Sequence, residues 1–313
     1  MSFAYRLALS EFCVMKKYFF LAGTLIYLFV IFPGCQVKWV EKKGEKPIVL
    51  VSVPPYVSLV KSLAGDCVEV HAAMSPGFDP HLNEITPKQA MNIQKCDLWI
   101  GIGEAYEQRL VNALRHEKKD VHILQLNDTV DLLSFAGDAN SADFAFFVLP
   151  THSSQDLHFW MSPLRLIDQA RAISAALSAL MPKQTALYDQ KLSECIREIH
   201  SFDTKISEQL KPYAKKGLLV SHPFLGYFCH DYNLSQISVE CEGKSPTAEW
   251  AQSILSLAAQ RDVHCAFVSL QHPSKGACLV AERLKLKTHA IDPLGEDPLD
   301  TIQKVVDAIT NTP

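Results

Sequence analysis

The sequence predicts an α/β fold in which mostly parallel sheets are covered by helices. Short apolar runs alternate with helical segments over residues 47–181, and the same alternation returns over residues 213–313. Between them, residues 182–212 have the periodicity of one long helix. A length of 313 residues also favours about two domains. We therefore expect an N-terminal α/β lobe, a linking helix and a C-terminal α/β lobe.

The first lobe is predicted from four strand-like runs. The strands are expected at 48–53, 67–72, 96–101 and 122–126. Helices are expected at 56–64, 87–94 and 164–181, and a further helix follows strand 96–101 and ends at residue 116. Pro54 and Pro55 end the first strand, because proline has no N–H for the ladder. Thr86 and Pro87 are typical of an N-cap followed by proline at the first helical position.

The linking helix is expected at residues 183–210, with Pro212 just beyond its end. Its apolar residues, most of them three to five positions apart, indicate one amphipathic face; they are Leu187, Leu192, Ile196, Ile199, Ile206 and Leu210. At 1.5 Å per residue such a helix is roughly 42 Å long, enough to cross a domain. In the second lobe, strands are expected at 217–220, 236–240, 266–270 and 287–291, and helices at 223–232, 247–261, 275–284 and 299–309.

Two phrases of the first lobe share one order of residues. In each, an acid precedes a histidine and a proline-initiated helix follows; the histidines are His81, in residues 79–87, and His158, in residues 156–163. Pro80 also restricts the backbone immediately before His81. A histidine held between such rigid points loses little freedom when it binds a ligand, so both are candidate ligand residues.

Two further candidates follow strands of the second lobe. His222 comes directly after the apolar run 217–220, and Asp292 directly after 287–291. Three imidazoles and one carboxylate are a donor set that zinc accepts, in a closed four-ligand site or with a position left open in a catalytic one. The sequence therefore indicates a metal site.

These phrases carry a family resemblance. The chain resembles the cluster A-I solute-binding proteins of metal-ion ABC transporters, which bind zinc or manganese, over roughly residues 47–313. The family's Asp-Pro-His phrases correspond to residues 79–87 and 156–163, its Ser-His phrase to 221–228, and its Asp-Pro-Leu phrase to 292–294. The chain departs from the family pattern at Asn83, Ile85, Leu157 and Leu225.

The resemblance implies a ligand set, a fold and a role. The implied metal ligands are His81, His158, His222 and Asp292, two from each lobe. The implied fold is two Rossmann-like lobes joined by a rigid backbone helix. The implied function is a receptor, not an enzyme, that captures a divalent transition metal and delivers it to an inner-membrane ABC permease. Zn(II) is favoured by the three nitrogen donors and by raw affinity, and Mn(II) or Fe(II) come next.

The N-terminus has the pattern of a targeting segment. Lys16 and Lys17 precede fifteen apolar residues, 18–32, a run too short for a comfortable membrane span. The run ends at Pro33-Gly34-Cys35, which resembles a lipoprotein cleavage box with Cys35 as the lipidated residue. We expect a signal peptide at 1–34, with translation starting at Met15 as an alternative, and a tether at 35–46.

This segment would place the protein in the periplasm or cell envelope, anchored through its lipid. An uncleaved anchor is the other interpretation, and it gives the same side of the membrane. The net charge of −4 argues against nucleic-acid binding. We expect a monomer.

Several alternatives stay open at this stage. His272 follows strand 266–270 and could line the same cleft, although Gln271-His272 does not match the family's Glu-Pro. A zinc hydrolase would need an open metal position and a base, for which Glu84 is available. A surface adhesin is a third function class, without specific support.

Two other patterns bear on function or stability. Gly101-Ile102-Gly103 after a strand lacks the third glycine of a dinucleotide fingerprint, since Tyr106 stands there. Export permits disulfides, and Cys265 with Cys278 is the first candidate pair. Most other cysteines lie in apolar segments typical of core thiols.

Overall fold

Two four-stranded parallel sheets organise the part of the chain that the structure describes, confirming the predicted fold class. The structure is a computed structural model. It describes residues 45–74, 93, 95–117, 121–134, 155–239, 248–272 and 274–312. The predicted signal peptide, Cys35, His81 and nearly all of the helix expected at 87–94 lie outside these residues.

The first lobe contains one sheet with strand order β2-β1-β3-β4. Its strands are β1 (Ile48–Val51), β2 (Glu69–Ala72), β3 (Leu98–Gly101) and β4 (His122–Gln125). Helices α1 (Tyr56–Ala64), α2 (Ala105–Glu117) and α3 (Pro163–Leu180) belong to this part of the chain. One core of the lobe is built around Trp99, with Leu50 from β1 and Leu114 from α2.

The second lobe repeats this arrangement with strand order β6-β5-β7-β8. Its strands are β5 (Gly217–Val220), β6 (Ser235–Ser238), β7 (Val263–Ser269) and β8 (Thr288–Ile291). Its helices are α5 (Gly226–Asp231), α6 (Ala248–Gln260), α7 (Lys275–Arg283) and α8 (Pro298–Thr310). Leu219, Ile254 and Val280 belong to one core cluster of this lobe. All strand pairings in both sheets are parallel.

The long helix α4 (Thr185–Leu210) connects the lobes. It packs against α1 and α3 of the first lobe and against α8 of the second. Its buried residues are Tyr188, Cys195, Ile199, Ile206 and Leu210. Their spacing alternates between seven and four residues, which keeps them on one face. Leu187, which the sequence placed on that face, is instead exposed.

Polar contacts also join the two lobes beside α3. Ser162 caps α3 by accepting from the Arg165 amide at 3.3 Å, as its Ser-Pro start predicts. The Ser162 hydroxyl also donates to Asp231 at the end of α5. The Arg165 guanidinium contacts the same buried carboxylate at 3.3 Å. These contacts fix the start of α3, and the segment just before it, against the second lobe.

The predicted Cys265–Cys278 disulfide is wrong, because both thiols are free. Cys265 is fully buried on β7, whereas Cys278 is exposed on α7. Cys96, Cys195 and Cys229 are buried, as expected for core thiols. Burial raises the pKa of the Cys265 thiol to about 12, so it is unreactive at neutral pH.

The boundaries proposed for the tether, lobes and linking segment stay predictions. Residues 44–313 form one compact unit. Among the described residues, none of the helices has the length and apolar character needed to cross a bilayer.

Candidate metal centre

Three potential ligand residues of the second lobe lie at one edge of its sheet. His222 follows β5, His272 follows β7 and Asp292 follows β8. These strands are neighbours and parallel, so their carboxyl ends open on the same side. Ligands of open parallel sheets are commonly bound in the crevice outside this edge. The topology thus gathers residues that are 70 positions apart in the sequence.

His158 reaches this edge from the first lobe. It lies between Asp156 and a short 3₁₀ turn, Phe159–Met161, that leads into α3. Its backbone N–H and its ring Nδ1 both lie 2.8 Å from Asp156 Oδ1. Since that carboxylate is fully buried and accepts from Nδ1–H, it fixes the tautomer that leaves the Nε2 lone pair for a metal.

Histidine rings from the two lobes come into contact. The ring centroids of His158 and His222 are 5.1 Å apart, with their planes at 72°. The ring of His272 stacks on His222 at 4.0 Å and 19°. All three residues are buried, at 4–8% exposed. A cation here would therefore be largely shielded from water, which strengthens its interaction with the donors.

Asp292 is exposed and lies one residue beyond the end of β8. Its Oδ1 accepts from the side-chain Nε2 of Gln271 at 2.5 Å and from the backbone N–H of Leu294 at 2.9 Å. The next residue, Pro293, accepts at its carbonyl from Trp160 Nε1 at 2.8 Å. Trp160 in turn lies 5.3 Å from the His158 ring. Asp292 is thus tied by its neighbours to the same region as the histidines.

The described residues do not make a complete metal site by themselves. Within the described ranges, no group of three or more His, Cys, Asp and Glu side chains is arranged so that it could hold a metal ion. His81, the fourth predicted ligand, lies outside those ranges. The four-ligand set therefore stays a prediction.

Comparison with known proteins decides the family. Residues 49–312 match the family model described as ZnuA, zinc-uptake complex component A, periplasmic. The chain belongs to the ZnuA family. This match covers both lobes and the linking helix, as the resemblance of the histidine phrases implied.

Relatives in the ZnuA family align along most of this chain. A putative metal-binding protein of Chlamydia trachomatis is 26% identical over 92% of this chain and 99% of its own length. The zinc-binding lipoprotein AdcA of Streptococcus pneumoniae is 25% identical over 95% of this chain, which spans 61% of AdcA. A crystal structure of ZnuA superposes with a TM-score of 0.76 at 24% identity, covering 86% of this chain and 99% of the other. That likeness shows the fold.

ZnuA-family membership also settles the class of protein. The family consists of solute-binding receptors that work with ABC transporter permeases, not of enzymes. The zinc-hydrolase alternative is therefore not supported.

In this ZnuA-family chain, the backbone N–H groups of the Gly101-Ile102-Gly103 turn are bound by a side chain of the same protein, that of Glu107. Glu107 of α2 accepts from the N–H groups of Ile102 and Gly103 at 3.0–3.1 Å. Gly103 has a φ of +93°, and a Cβ on Gly101 would collide with the Glu107 carboxylate. The amides that would hold a phosphate in a dinucleotide site thus already have an acceptor in Glu107.

Because Glu107 is buried, its contribution to stability depends on pH. Burial raises the pKa of this carboxyl above 4.5, although the backbone amides oppose the shift. The native state then binds its proton more tightly than the unfolded chain. The group's contribution to stability is therefore greatest below pH 4.5 and falls as pH rises through the raised pKa.

We expect Glu107→Gln to remove this loss of stability at higher pH, because glutamine cannot ionise. Urea unfolding at several pH values should show that the free energy of unfolding of the wild type falls relative to the variant as pH rises. The exposed Glu198→Gln is the matched control and should follow the wild type. Parallel pH profiles for the wild type and Glu107→Gln would contradict the assignment.

Sequence reasoning missed the residues that support the candidate ligands. Asp156 was seen only as part of a phrase, yet it orients His158. The Tyr227 hydroxyl donates to the Asp156 carbonyl at 2.8 Å and accepts from the Leu133 N–H at 3.0 Å, so α5 holds this segment from the second lobe. The sequence offered one signal for these supporting residues, the acid two positions before His158.

Proposed function

We propose that this protein captures a divalent transition-metal cation outside the cytoplasmic membrane and delivers it to an ABC permease. The observation that carries the proposal is the contact of His158, from the first lobe, with His222, from the second, at the carboxyl edge of a parallel sheet. A cation bound by these two imidazoles would link the two lobes.

The proposed ligands are His81, His158, His222 and Asp292. The buried Asp156 supports this assignment, since metal-binding histidines almost always donate their second N–H to such an acceptor. Zn(II) is the first expected cargo and Mn(II) or Fe(II) the next, because three of the four donors are imidazole nitrogens. AdcA, a relative described as zinc-binding, supports Zn(II) as the first choice.

We further propose that the mature chain is a monomeric lipoprotein of the periplasm or cell envelope, anchored through Cys35. The lipoprotein description of AdcA supports the anchor. The match of the periplasmic family model supports the compartment.

The test is stabilisation by metal of a soluble chain starting at about residue 37. A ligand at about 100 times its Kd adds about 2.7 kcal/mol to the free energy of unfolding. For a protein of this size we expect the melting temperature to rise by about 5–10 °C. Zn(II), Mn(II), Fe(II) and, as a hard-cation control, Mg(II) should be compared at about pH 7.5 by calorimetry, with ligand histidines neutral. Lack of a shift with all three transition metals would reject the proposal.

A further inference from the structure

His272 is buried beside the proposed metal site, against the ring of His222. It lies three residues beyond the end of β7, the strand between β5 and β8. Its side chain is 8% exposed and its ring stacks on His222. An imidazole in the interior loses hydration that an aliphatic residue of similar size would not lose. Packing alone therefore gives a weak reason for histidine at this position.

A chain of hydrogen bonds fixes the segment that carries His272. The Ser269 N–H donates to Ser221 Oγ at 2.9 Å, which joins the ends of β7 and β5. Ser269 Oγ donates to Gln271 Oε1 at 2.9 Å, and the Gln271 amide reaches Asp292 Oδ1 beyond β8. Residues 269–272 are thus held between the elements that carry His222 and Asp292.

We propose that His272 is a further cation-contacting residue that shifts the preference of the site towards nitrogen-seeking cations such as Zn(II) and away from Mn(II). The inference rests on the proposed function. Imidazole suits zinc, copper and nickel, whereas manganese favours oxygen donors. A further imidazole, in contact with His222, raises the nitrogen share of the donors at this edge.

The stacked pair must open for His272 to bind a cation. Imidazole binds metal through a lone pair in the plane of its ring, and two rings stacked at 19° do not aim theirs at one point. A change between staggered side-chain rotamers of His272 would turn its ring edge-on. The backbone N–H groups of Ser269 and Gln271 donate to serine hydroxyls, so these two bonds do not change when the His272 ring turns.

The competing role for His272 is packing, in which its ring only supports His222. His272→Phe separates the two roles, because phenylalanine keeps a flat ring for stacking but has no lone pair. His272→Ala removes both, and the exposed His200→Ala is a control for loss of a histidine. His272→Glu supplies an oxygen donor instead.

The experiment measures Zn(II) and Mn(II) dissociation constants of the chain from about residue 37 by chelator competition. For His272→Phe we expect zinc affinity to fall at least about 10-fold and manganese affinity less than about 3-fold. His272→Glu should lower the zinc-to-manganese ratio further. Pulsed EPR of the Cu(II)-loaded protein should count one imidazole fewer in His272→Phe than in the wild type.

An unchanged zinc-to-manganese ratio or an unchanged imidazole count in His272→Phe would overturn the proposal. Equal loss of both metals in His272→Ala, with wild-type behaviour in His272→Phe, would assign the packing role instead. A wild type that binds neither metal would reject the proposed function itself, so the two failures are distinguishable.

Discussion

Replacing His222 with alanine is expected to abolish tight metal binding while leaving the protein folded. Among the described candidate ligands, His222 contacts both the His158 ring and the His272 ring. Its removal takes away a donor and also the contact that links the donors of the two lobes. Mutations of residues that merely orient a ligand typically cost 10–100-fold in metal affinity, so we expect a loss greater than about 100-fold here.

The measurement combines two readouts on the same preparation. Competition with a chromogenic chelator gives the zinc dissociation constant, and calorimetry gives the melting temperature with and without zinc. His222→Ala should lose the metal-induced rise of about 5–10 °C, since that rise requires a ligand that binds the native state. Without metal, its melting temperature should fall by several degrees, because alanine leaves a cavity where the imidazole packed between two rings.

His200→Ala is the matched control. This histidine lies on the exposed face of α4, far along the sequence from every candidate ligand, and should behave as the wild type. If His222→Ala retained zinc affinity within about 3-fold of the control, the site would have to lie elsewhere, because losing a direct ligand cannot cost less than losing an orienting group.

The strand ends of the second lobe were predictable from the sequence, and the reason is topological. Strands that alternate with helices form parallel sheets, so His222 and Asp292 could be placed at one edge from local patterns alone. The predicted limits of β5 and of α1 also agree with the structure. Proline or glycine lies close to the ends of both elements, and these residues are strong local signals.

The register of α4 was harder to predict. Leu187 and Tyr188 are neighbours, and hydrophobicity alone favoured leucine for the buried face. Tyr188 is buried instead and its hydroxyl lies 3.5 Å from Met181 Sδ, which gives the polar end of the ring a partner. Which of two adjacent apolar residues faces inward depends on the lobes packed against the helix, and a single sequence does not contain that contact.

Contacts between distant residues account for the remaining differences. Cys265 and Cys278 are close in sequence, but one lies in the core and the other on an exposed helix face. Gln271 is 21 residues from the Asp292 carboxylate to which it donates, and no local pattern indicates that bond. The motif therefore identified candidate ligands, whereas the residues that orient them required the fold.

Trp160→Ala is the second substitution from which we expect a large effect, in this case on stability. Trp160 is 2% exposed and packs edge to face with Tyr56 and Phe159, at centroid distances of 6.3 and 6.2 Å. Its Nε1 donates to the Pro293 carbonyl across the lobes. Truncation of a buried aromatic residue costs about 3–5 kcal/mol. For a protein of this size that corresponds to a melting temperature roughly 10 °C lower.

Trp160→Phe separates packing from the interlobe hydrogen bond. Phenylalanine keeps most of the ring contacts but cannot donate to Pro293, so we expect a smaller loss of about 1–2 kcal/mol in urea unfolding. Because Pro293 adjoins Asp292 and Trp160 lies beside His158, this variant should also bind zinc more weakly than the wild type. Leu164→Ala, at a 39% exposed position on α3, is the control and should change stability by less than about 0.5 kcal/mol. If Trp160→Phe matched the wild type in both stability and zinc affinity, the bond to Pro293 would have no part in holding Asp292 near the histidines.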